Sequence, residues 1–186
     1  AALTTLSVLI AGVVPGIVFG VALSLIGLIS RISHPADAVL SEVPGRGFHD
    51  LGAPPGSQTV PGLVAYRFYA PLLFPNAAHF LESIRRLIAQ SSRPLQCVLI
   101  DAQAITDIDV TAVDVLHSLN QELRRQGIAL KIAHANPPLR DVLARTGLAA
   151  EIGPDAFFNS VHECIDAFQK AKNAGTEQVA PVSLNP

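Results

Sequence analysis

The hydrophobic residues of this chain are concentrated at its beginning. Leu6 to Ser30 contains no charged side chain, and Arg31 is the first ionisable residue after it. A helix of about 20 apolar residues is long enough to cross the ~30 Å hydrocarbon layer of a bilayer. A signal peptide would have a basic start, whereas Ala1 to Ser7 contains no Lys or Arg. We therefore predict a membrane-spanning segment within residues 1–30; the alternative is a buried core helix of a soluble domain.

Small residues recur every four positions within this apolar segment. Gly12, Gly16 and Gly20, with Ser24 after them, lie on one face of a helix. Such a stripe lets a second helix approach closely, so it predicts packing inside a helical bundle. Pro15 removes a hydrogen bond from the helix. The pattern therefore leaves open one straight helix or two short segments that meet just before Pro15.

A stretch rich in proline and glycine follows the apolar segment. Residues 31–59 are predicted to form a linker, in which a short strand around Phe48 to Leu51 is a candidate. Arg31 comes directly after the apolar segment, and Arg46 lies further along. Basic residues next to a membrane segment favour the cytoplasmic side, so we expect the rest of the chain to lie there.

From residue 60 onward, the polarity pattern alternates between strands and helices. Strands are predicted at Leu63–Tyr69, Cys97–Ile100 and Ile128–Ala133, and helices near Asn76, Val110, Asn136 and Ser160. We take Asn76 and Asn136 as N-caps, Gly147 as a helix end, and Leu116 as part of the buried stripe of its helix. The alternation predicts one small α/β domain over residues 60–173, with a mixed or mostly parallel β-sheet and about four flanking helices. Residues 174–186 have no apolar period and are predicted to be disordered.

Composition and charge exclude some partners. The 186 residues are 49% hydrophobic, and the net charge is −2. A nucleic-acid-binding surface needs a basic patch, so nucleic acid is not expected as a partner. Cys97 and Cys164 lie within apolar patterns, which predicts two buried thiols rather than a disulfide. The six histidines are scattered without a zinc-binding spacing, and no phosphate-binding glycine loop is present, so neither a metal nor a cofactor is predicted.

Acidic residues are concentrated before the second helix of the predicted domain. Asp107, Asp109 and Thr111 lie within the segment Ala104 to Asp114. The run from Asp107 onward resembles the signature of STAS domains, in which an acidic loop opens a helix. The surrounding motifs occur in the order found in SulP-type anion transporters: Val43-Pro44-Gly45, Val60-Pro61-Gly62-Leu63, then Tyr69 through Ala77, then the acidic loop.

This resemblance implies a function. It identifies the chain as the last membrane segment and the cytoplasmic STAS domain of a secondary transporter for sulfate, bicarbonate or a dicarboxylate. The domain would regulate transport without catalysing a reaction, and the transporter would be a homodimer in the inner membrane. Its first partner would be the membrane domain of the same transporter. A regulatory protein or a nucleotide is a further candidate at the acidic loop, although no sequence motif supports nucleotide binding.

The resemblance also suggests a regulatory residue. Free-standing STAS proteins, the anti-sigma-factor antagonists, are phosphorylated on a Ser at the position that matches Thr111. A phosphate there would lie near free backbone amides at a helix start, but beside Asp107 and Asp109, which would repel it. The alternative is that Asp109 only caps the helix and Thr111 is an ordinary first-turn residue. Val110 occupies a position where antagonists often carry Ser.

Two other functions compete with the transporter hypothesis. Asp107-Ile108-Asp109-Val110-Thr111 fits the D-x-D-x-T pattern of haloacid-dehalogenase-like phosphatases, in which the first Asp is a nucleophile. Those enzymes place the motif directly after a strand, whereas six residues separate Ile100 from Asp107. A soluble antagonist of an anti-sigma factor is the second alternative, and the charge-free beginning of the chain argues against it.

Overall fold

The computed structural model describes residues 13–43, 47–50 and 59–177. The chain divides after Pro35 into two compact units. The first unit contains helix α1 (Val13–Ser33), which is long and apolar enough by length and composition to cross a membrane. Pro15 lies in the first turn of the described helix, which ends three residues beyond the predicted segment. The choice between one straight helix and two segments depends on residues before Val13, which lie outside the described residues.

The surface of α1 is apolar around most of its circumference. Gly16 is buried and Gly20 is half-buried, while the large apolar side chains are exposed, among them Val14, Val18 and Ile26. Gly12 lies outside the described residues, so packing against another helix through the whole glycine stripe stays a prediction. An apolar helix surface of this kind suits lipid or a helical bundle better than water.

The second unit is built around one mixed β-sheet. Its strands are β1 (Asp37–Val43), β2 (Gly47–Asp50), β3 (Leu63–Phe68), β4 (Cys97–Asp101), β5 (Ala129–Ala133) and β6 (Phe157–Phe158), in the order β2-β1-β3-β4-β5-β6. Its helices are α2 (Phe74–Gln90), α3 (Val110–Arg125), α4 (Pro137–Arg145), α5 (Leu148–Ile152) and α6 (Val161–Glu177). The strands from β3 to β6 are parallel, whereas β1 is antiparallel to both of its neighbours.

The predicted linker contains two strands of the sheet. The candidate strand near Phe48 is present as β2, although Leu51 lies outside the described residues. Strand β1 was not predicted, and it is integral to the sheet because Asp37, Ala38 and Val39 pair with β3. The prediction of a linker through residue 59 is therefore wrong for Asp37–Val43, and the second unit begins at Ala36.

The sheet is covered on both faces, as the uninterrupted apolar strand β4 predicts. Val98 and Ile100 of β4 face a large core that includes Phe80 of α2 and Leu116 of α3. Leu99, on the opposite face, belongs to a smaller core with residues of β1, β3 and α6. The prediction that Leu116 belongs to the buried stripe of α3 is confirmed, and Ala112, Leu119 and Leu123 on the same face are buried with it.

Two helix ends follow the prediction, and two differ from it. Asn136 caps α4 by accepting a hydrogen bond from the Leu139 amide at 2.8 Å, and Gly147 follows α4 with a left-handed φ of +81°. The prediction of Asn76 as an N-cap is wrong, because α2 begins at Phe74 and Asn76 is already in its first turn. Helix α6 continues to Glu177, so residues 174–177 are helical rather than disordered.

The two cysteines are neighbours in the smaller core. Cys97 and Cys164 are both buried and unpaired by any disulfide, as predicted. A hydrogen bond to the Cys164 sulfur, together with burial, raises the pKa of the Cys97 thiol. Cys97 is therefore a neutral, protonated side chain that fills core volume between β4 and α6.

Candidate functional site

The acidic loop before α3 is held in place by one of its own carboxylates. Asp109 is the N-cap of α3, and its Oδ1 accepts a hydrogen bond from the Ala112 amide at 2.9 Å. Its Oδ2 accepts a second bond, at 2.7 Å, from the amide of Phe74, the first residue of α2. Each helix start leaves free amides and carries a partial positive charge, which a carboxylate neutralises. One side chain therefore joins the starts of two helices.

Backbone hydrogen bonds join the same two loops. The amide of Leu72 donates to the carbonyl of Asp107 at 3.0 Å, and the amide of Asp109 donates to the carbonyl of Leu72 at 3.3 Å. Leu72 and Ile108, which pair here as an isolated parallel bridge, are both buried. The loop before α2 and the acidic loop before α3 therefore form one structural unit, which we call the switch surface (residues 69–75 and 107–111).

The proposed regulatory residue lies exposed on this surface. Thr111 is in the first turn of α3 and exposed, and its hydroxyl makes no hydrogen bond within the part of the chain that the structure describes. Asp107 is also exposed, and its Oδ1 accepts from the Ile108 amide at 2.8 Å. The fold therefore brings Asp107, Asp109 and Thr111 together, with Asp109 as the cap of α3 and Thr111 exposed to solvent.

The switch surface also carries two exposed apolar side chains. Phe74 is 70% exposed and Val110 is 77% exposed. A groove of about 400 Å³ lies beside Val110, between the start of α3 and the end of α4. Its walls include the apolar side chains of Val113 and Val142, and Arg145 contributes a positive charge. An exposed apolar surface with a charged edge has the character of a protein-binding surface.

A second polar cluster was missed by the sequence analysis. Asp101, the last residue of β4, is fully buried, and it accepts hydrogen bonds from Arg67 Nε at 2.8 Å and Arg67 Nη2 at 2.5 Å. Its Oδ1 lies 2.9 Å from His134 Nδ1 and accepts a bond from the Gln103 amide at 3.1 Å. Arg67, Asp101 and His134 come from or follow three adjacent parallel strands. The cluster therefore ties together the carboxyl ends of these strands.

Asp101 helps to hold Arg67 in its charged form. Burial acts to lower the pKa of Arg67, but the hydrogen bonds and negative charge of Asp101 outweigh that effect and raise it. Two nitrogens of Arg67 contact Oδ2 of Asp101, so the guanidinium is held in one orientation. The only sequence signal for this cluster was a charged residue at the end of an apolar strand. Its partners are 34 and 33 residues away along the chain.

The structure also bears on the phosphatase alternative. Strand β4 ends at Asp101, so Asp107 does not follow a strand directly. Both carboxylate oxygens of Asp109, the residue that would act as general acid, accept bonds from backbone amides. The two aspartates thus stabilise helix starts and loop structure.

A comparison with protein families identifies the second unit. The STAS domain model matches residues 55–164, which is more than half of the chain. This region contains β3 to β5, the helices between them and the switch surface. The acidic loop that suggested the resemblance lies inside the match.

Comparison with individual proteins extends the relationship beyond the domain. A probable sulfate transporter of Mycobacterium tuberculosis is 38% identical over 168 residues. The match covers 90% of this chain and 30% of the transporter, so this chain spans about a third of the length of that relative. Because α1 ends at Ser33, a match over 90% of the chain must include part of α1 as well as the STAS domain.

Solved structures share the fold. The murine Slc26a9 anion transporter in its inward-facing state superimposes with a TM-score of 0.70 at 16% identity, over 83% of this chain and 25% of that one. The STAS domain of a SulP transporter from Vibrio cholerae gives a TM-score of 0.51 at 22% identity, over 62% of this chain and 88% of that one. At such identities the similarity shows the fold alone. Together with the family match, these relationships show that the chain belongs to the STAS domain family and is a homologue of the SulP-type sulfate transporters.

Proposed function

We propose that this chain is the regulatory STAS domain, with its adjoining membrane segment, of a secondary transporter for a small anion. The observation that carries the proposal is the position of α1, a 21-residue apolar helix with Arg31 in its last turn, directly before a STAS domain. A free-standing switch protein has no use for such a helix. The homology to a sulfate transporter across both parts supports the same conclusion.

The proposal includes a location, a partner and a class of substrate. Arg31 at the end of α1 favours the cytoplasmic side for the STAS domain, with α1 in the inner membrane. The first partner is the membrane domain of the same transporter, which assembles as a homodimer. Sulfate is the first candidate substrate because the relatives are named as sulfate transporters, and bicarbonate and dicarboxylates are the others.

Regulation would act through the switch surface. A phosphate on Thr111 would add roughly two negative charges next to Asp107 and Asp109. The nearby helix start attracts those charges, whereas the two aspartates repel them, so a phosphate would displace the loop or a partner bound to it. Phe74 and Val110, both exposed, would supply the apolar contacts for such a partner. The domain itself would carry out no catalysis.

Uptake of labelled anions tests the proposal. Cells that express the full-length parent protein would be given labelled sulfate, bicarbonate and succinate, and compared with cells that express the parent truncated after Ser33. Immunoblots of membrane fractions would correct for the amount of each protein. We expect saturable uptake of one anion, which falls or loses its regulation upon truncation. Absence of uptake for all three, with the parent in the soluble fraction, would instead support the free-standing switch protein.

A further inference from the structure

A second cleft lies away from the switch surface, between α3, β5 and the chain that leads from α5 to β6. Its volume is about 350 Å³, and it is open to solvent. Clefts that bind small molecules have volumes of about 300–1,000 Å³. None of the residues discussed for the switch surface lines this cleft. A ligand held there would therefore not contact the acidic loop.

An unsatisfied hydrogen-bond donor lies in the wall of this cleft. Asn120 of α3 is only 2% exposed, and its Nδ2 has no hydrogen-bond partner within the described part of the chain. Leaving a buried amide unpaired costs about 1–3 kcal/mol, so such groups are rare unless a ligand or an ordered water molecule completes them. The terminal amide torsion of Asn is broad, so Nδ2 can turn toward an acceptor in the cleft.

Two cations also line the cleft. Arg124 lies one turn further along α3, and its Nη1 donates to the carbonyl of Glu151 at 3.2 Å. Lys131 of β5 donates from Nζ to the carbonyl of Asp155 at 3.4 Å. Each of these side chains donates one hydrogen bond to a backbone carbonyl of the opposite wall and has further N–H groups that can donate to a ligand. The donor set of the cleft therefore favours a ligand that carries negatively charged oxygen atoms.

The remaining walls limit the charge and the shape of the ligand. Leu130 and Ile152 give the cleft an apolar part, which a bare inorganic ion would not use. The acidic residues Glu151 and Asp155 also line it and would repel a dianion about twice as strongly as a monoanion. A ligand with a single carboxylate and a short apolar body satisfies both conditions.

We propose that the cleft between Asn120, Arg124 and Lys131 is a binding site for a small organic monocarboxylate. The carboxylate accepts hydrogen bonds from Asn120 Nδ2 and from Arg124, whereas Lys131, on the other face of β5 with its Nζ over the Phe158 ring, contributes its positive charge. The short hydrocarbon part packs on the apolar wall at Leu130. Such a site lets the domain sense an organic acid at a position separate from Thr111.

Nuclear magnetic resonance of the whole chain in detergent micelles tests this proposal directly. The probe is the side-chain amide signal of Asn120 in ¹⁵N-labelled protein, assigned with the help of Asn120→Ala. Sodium butyrate is titrated against sodium chloride and sodium sulfate at equal ionic strength. We expect a saturable shift of the Asn120 signal with butyrate and none with chloride. A larger shift with sulfate than with butyrate would overturn the choice of a monocarboxylate.

A pair of variants separates the site from general electrostatics. The double variant R124Q/K131Q removes both cations of the cleft, and we expect the dissociation constant for butyrate to rise about tenfold or more, since charge-assisted bonds are lost. The matched control is Arg125→Gln, which removes the exposed neighbouring cation of α3 that does not line the cleft. It should leave the constant within about twofold.

Two results of these titrations would contradict the proposed site. No saturable shift with any anion would show that the amide of Asn120 is satisfied by water alone. Equal weakening in Arg125→Gln and in the double variant would show surface charge without a site. Because the readout is binding by this chain, failure of the site would leave anion uptake by the parent, and thus the proposed function, untouched.

Discussion

The joining of α2 and α3 by Asp109 leads to a stability prediction that can be worked out from the structure. Asp109→Ala removes the acceptor for the Ala112 amide and the acceptor for the Phe74 amide. Loss of an N-cap costs about 1 kcal/mol. The bond to Phe74 is solvent-exposed, so water replaces part of it, and its loss adds about 0.5–1 kcal/mol. We therefore expect Asp109→Ala to lower the free energy of unfolding by about 1.5–2 kcal/mol.

A conservative change at the same position separates the two bonds. Asn is as good an N-cap as Asp, so Asp109→Asn keeps the bond to the Ala112 amide. Its amide group can no longer offer an acceptor to both helix starts, so the bond to Phe74 weakens. We expect this variant to lose only about 0.5–1 kcal/mol. Asp114→Ala, which removes an exposed carboxylate of the same helix, is the matched control for charge.

Urea unfolding in detergent micelles measures these differences. The chain contains two tyrosines and no tryptophan, and Tyr66 and Tyr69 both belong to the STAS domain. Tyrosine fluorescence therefore follows this domain without a contribution from α1. Small domains have urea m-values of about 1–3 kcal/mol per molar, so the midpoint of Asp109→Ala should fall by roughly 1 M. Equal midpoints for Asp109→Ala and Asp114→Ala would show that the hydrogen bonds of Asp109 to the starts of α2 and α3 do not stabilise the domain.

Three further predictions concern the core and the buried polar groups. Leu116→Asp places a charge in the packed face of α3, where Leu116 is 4% exposed, and should abolish the cooperative urea transition; a retained transition would contradict the packing. Arg67→Leu leaves the fully buried Asp101 carboxylate without its strongest partner and should cost about 3 kcal/mol, whereas a loss below about 1 kcal/mol would show that the pair is a weak surface contact. Burial, together with the hydrogen bond to Asp37, raises the pKa of Tyr66 from its ordinary 10.0, so the folded domain keeps the phenol protonated while the unfolded chain ionises. The contribution of Tyr66 to the free energy of unfolding should therefore be present in full below pH 10 and decrease above it by about 1.4 kcal/mol per pH unit. An equal decrease in Tyr66→Phe would show that other groups cause it.

Local sequence rules predicted the parts of the fold that depend on local interactions. The start of α3 follows from an Asp that caps its own helix, and the buried stripe through Leu116 follows from helical periodicity. The predictions for Asn136 and Gly147 are correct for the same reason, since an N-cap and a left-handed glycine act within one turn of a helix. The predicted residues of the switch loop lie together because they are neighbours in sequence.

The errors occurred where distant residues decide the structure. Strand β1 lies in a proline- and glycine-rich region, and it becomes a strand by pairing with β3, whose partner residues follow about 30 positions later. Asn76 is displaced from the cap position because Asp109, 35 residues away, satisfies the amide of Phe74. Asn76 accepts a bond from the Leu73 amide instead. No local pattern can show such a partner.

The buried cluster at Asp101 shows the same limit for a candidate site. Arg67 and Asp101 lie opposite each other in the register of β3 and β4, and this register becomes known only when the sheet is assembled. His134 completes the cluster with a left-handed φ of +54°, a conformation rare for residues other than glycine. A sequence gives the residue types of such a cluster, but only the fold gives their distances.

Anion uptake by the full-length parent with Thr111→Glu tests the regulatory role of the switch surface most directly. The glutamate places a negative charge where a phosphate would lie. Ser118→Glu adds the same charge two turns further along α3, where the Ser118 hydroxyl only donates to the carbonyl of Asp114. Tyrosine fluorescence would first show that both variants stay folded. We expect Thr111→Glu to change the uptake rate severalfold and Ser118→Glu to leave it unchanged. Unchanged uptake in Thr111→Glu, at equal amounts of protein in the membrane, would contradict regulation through this surface.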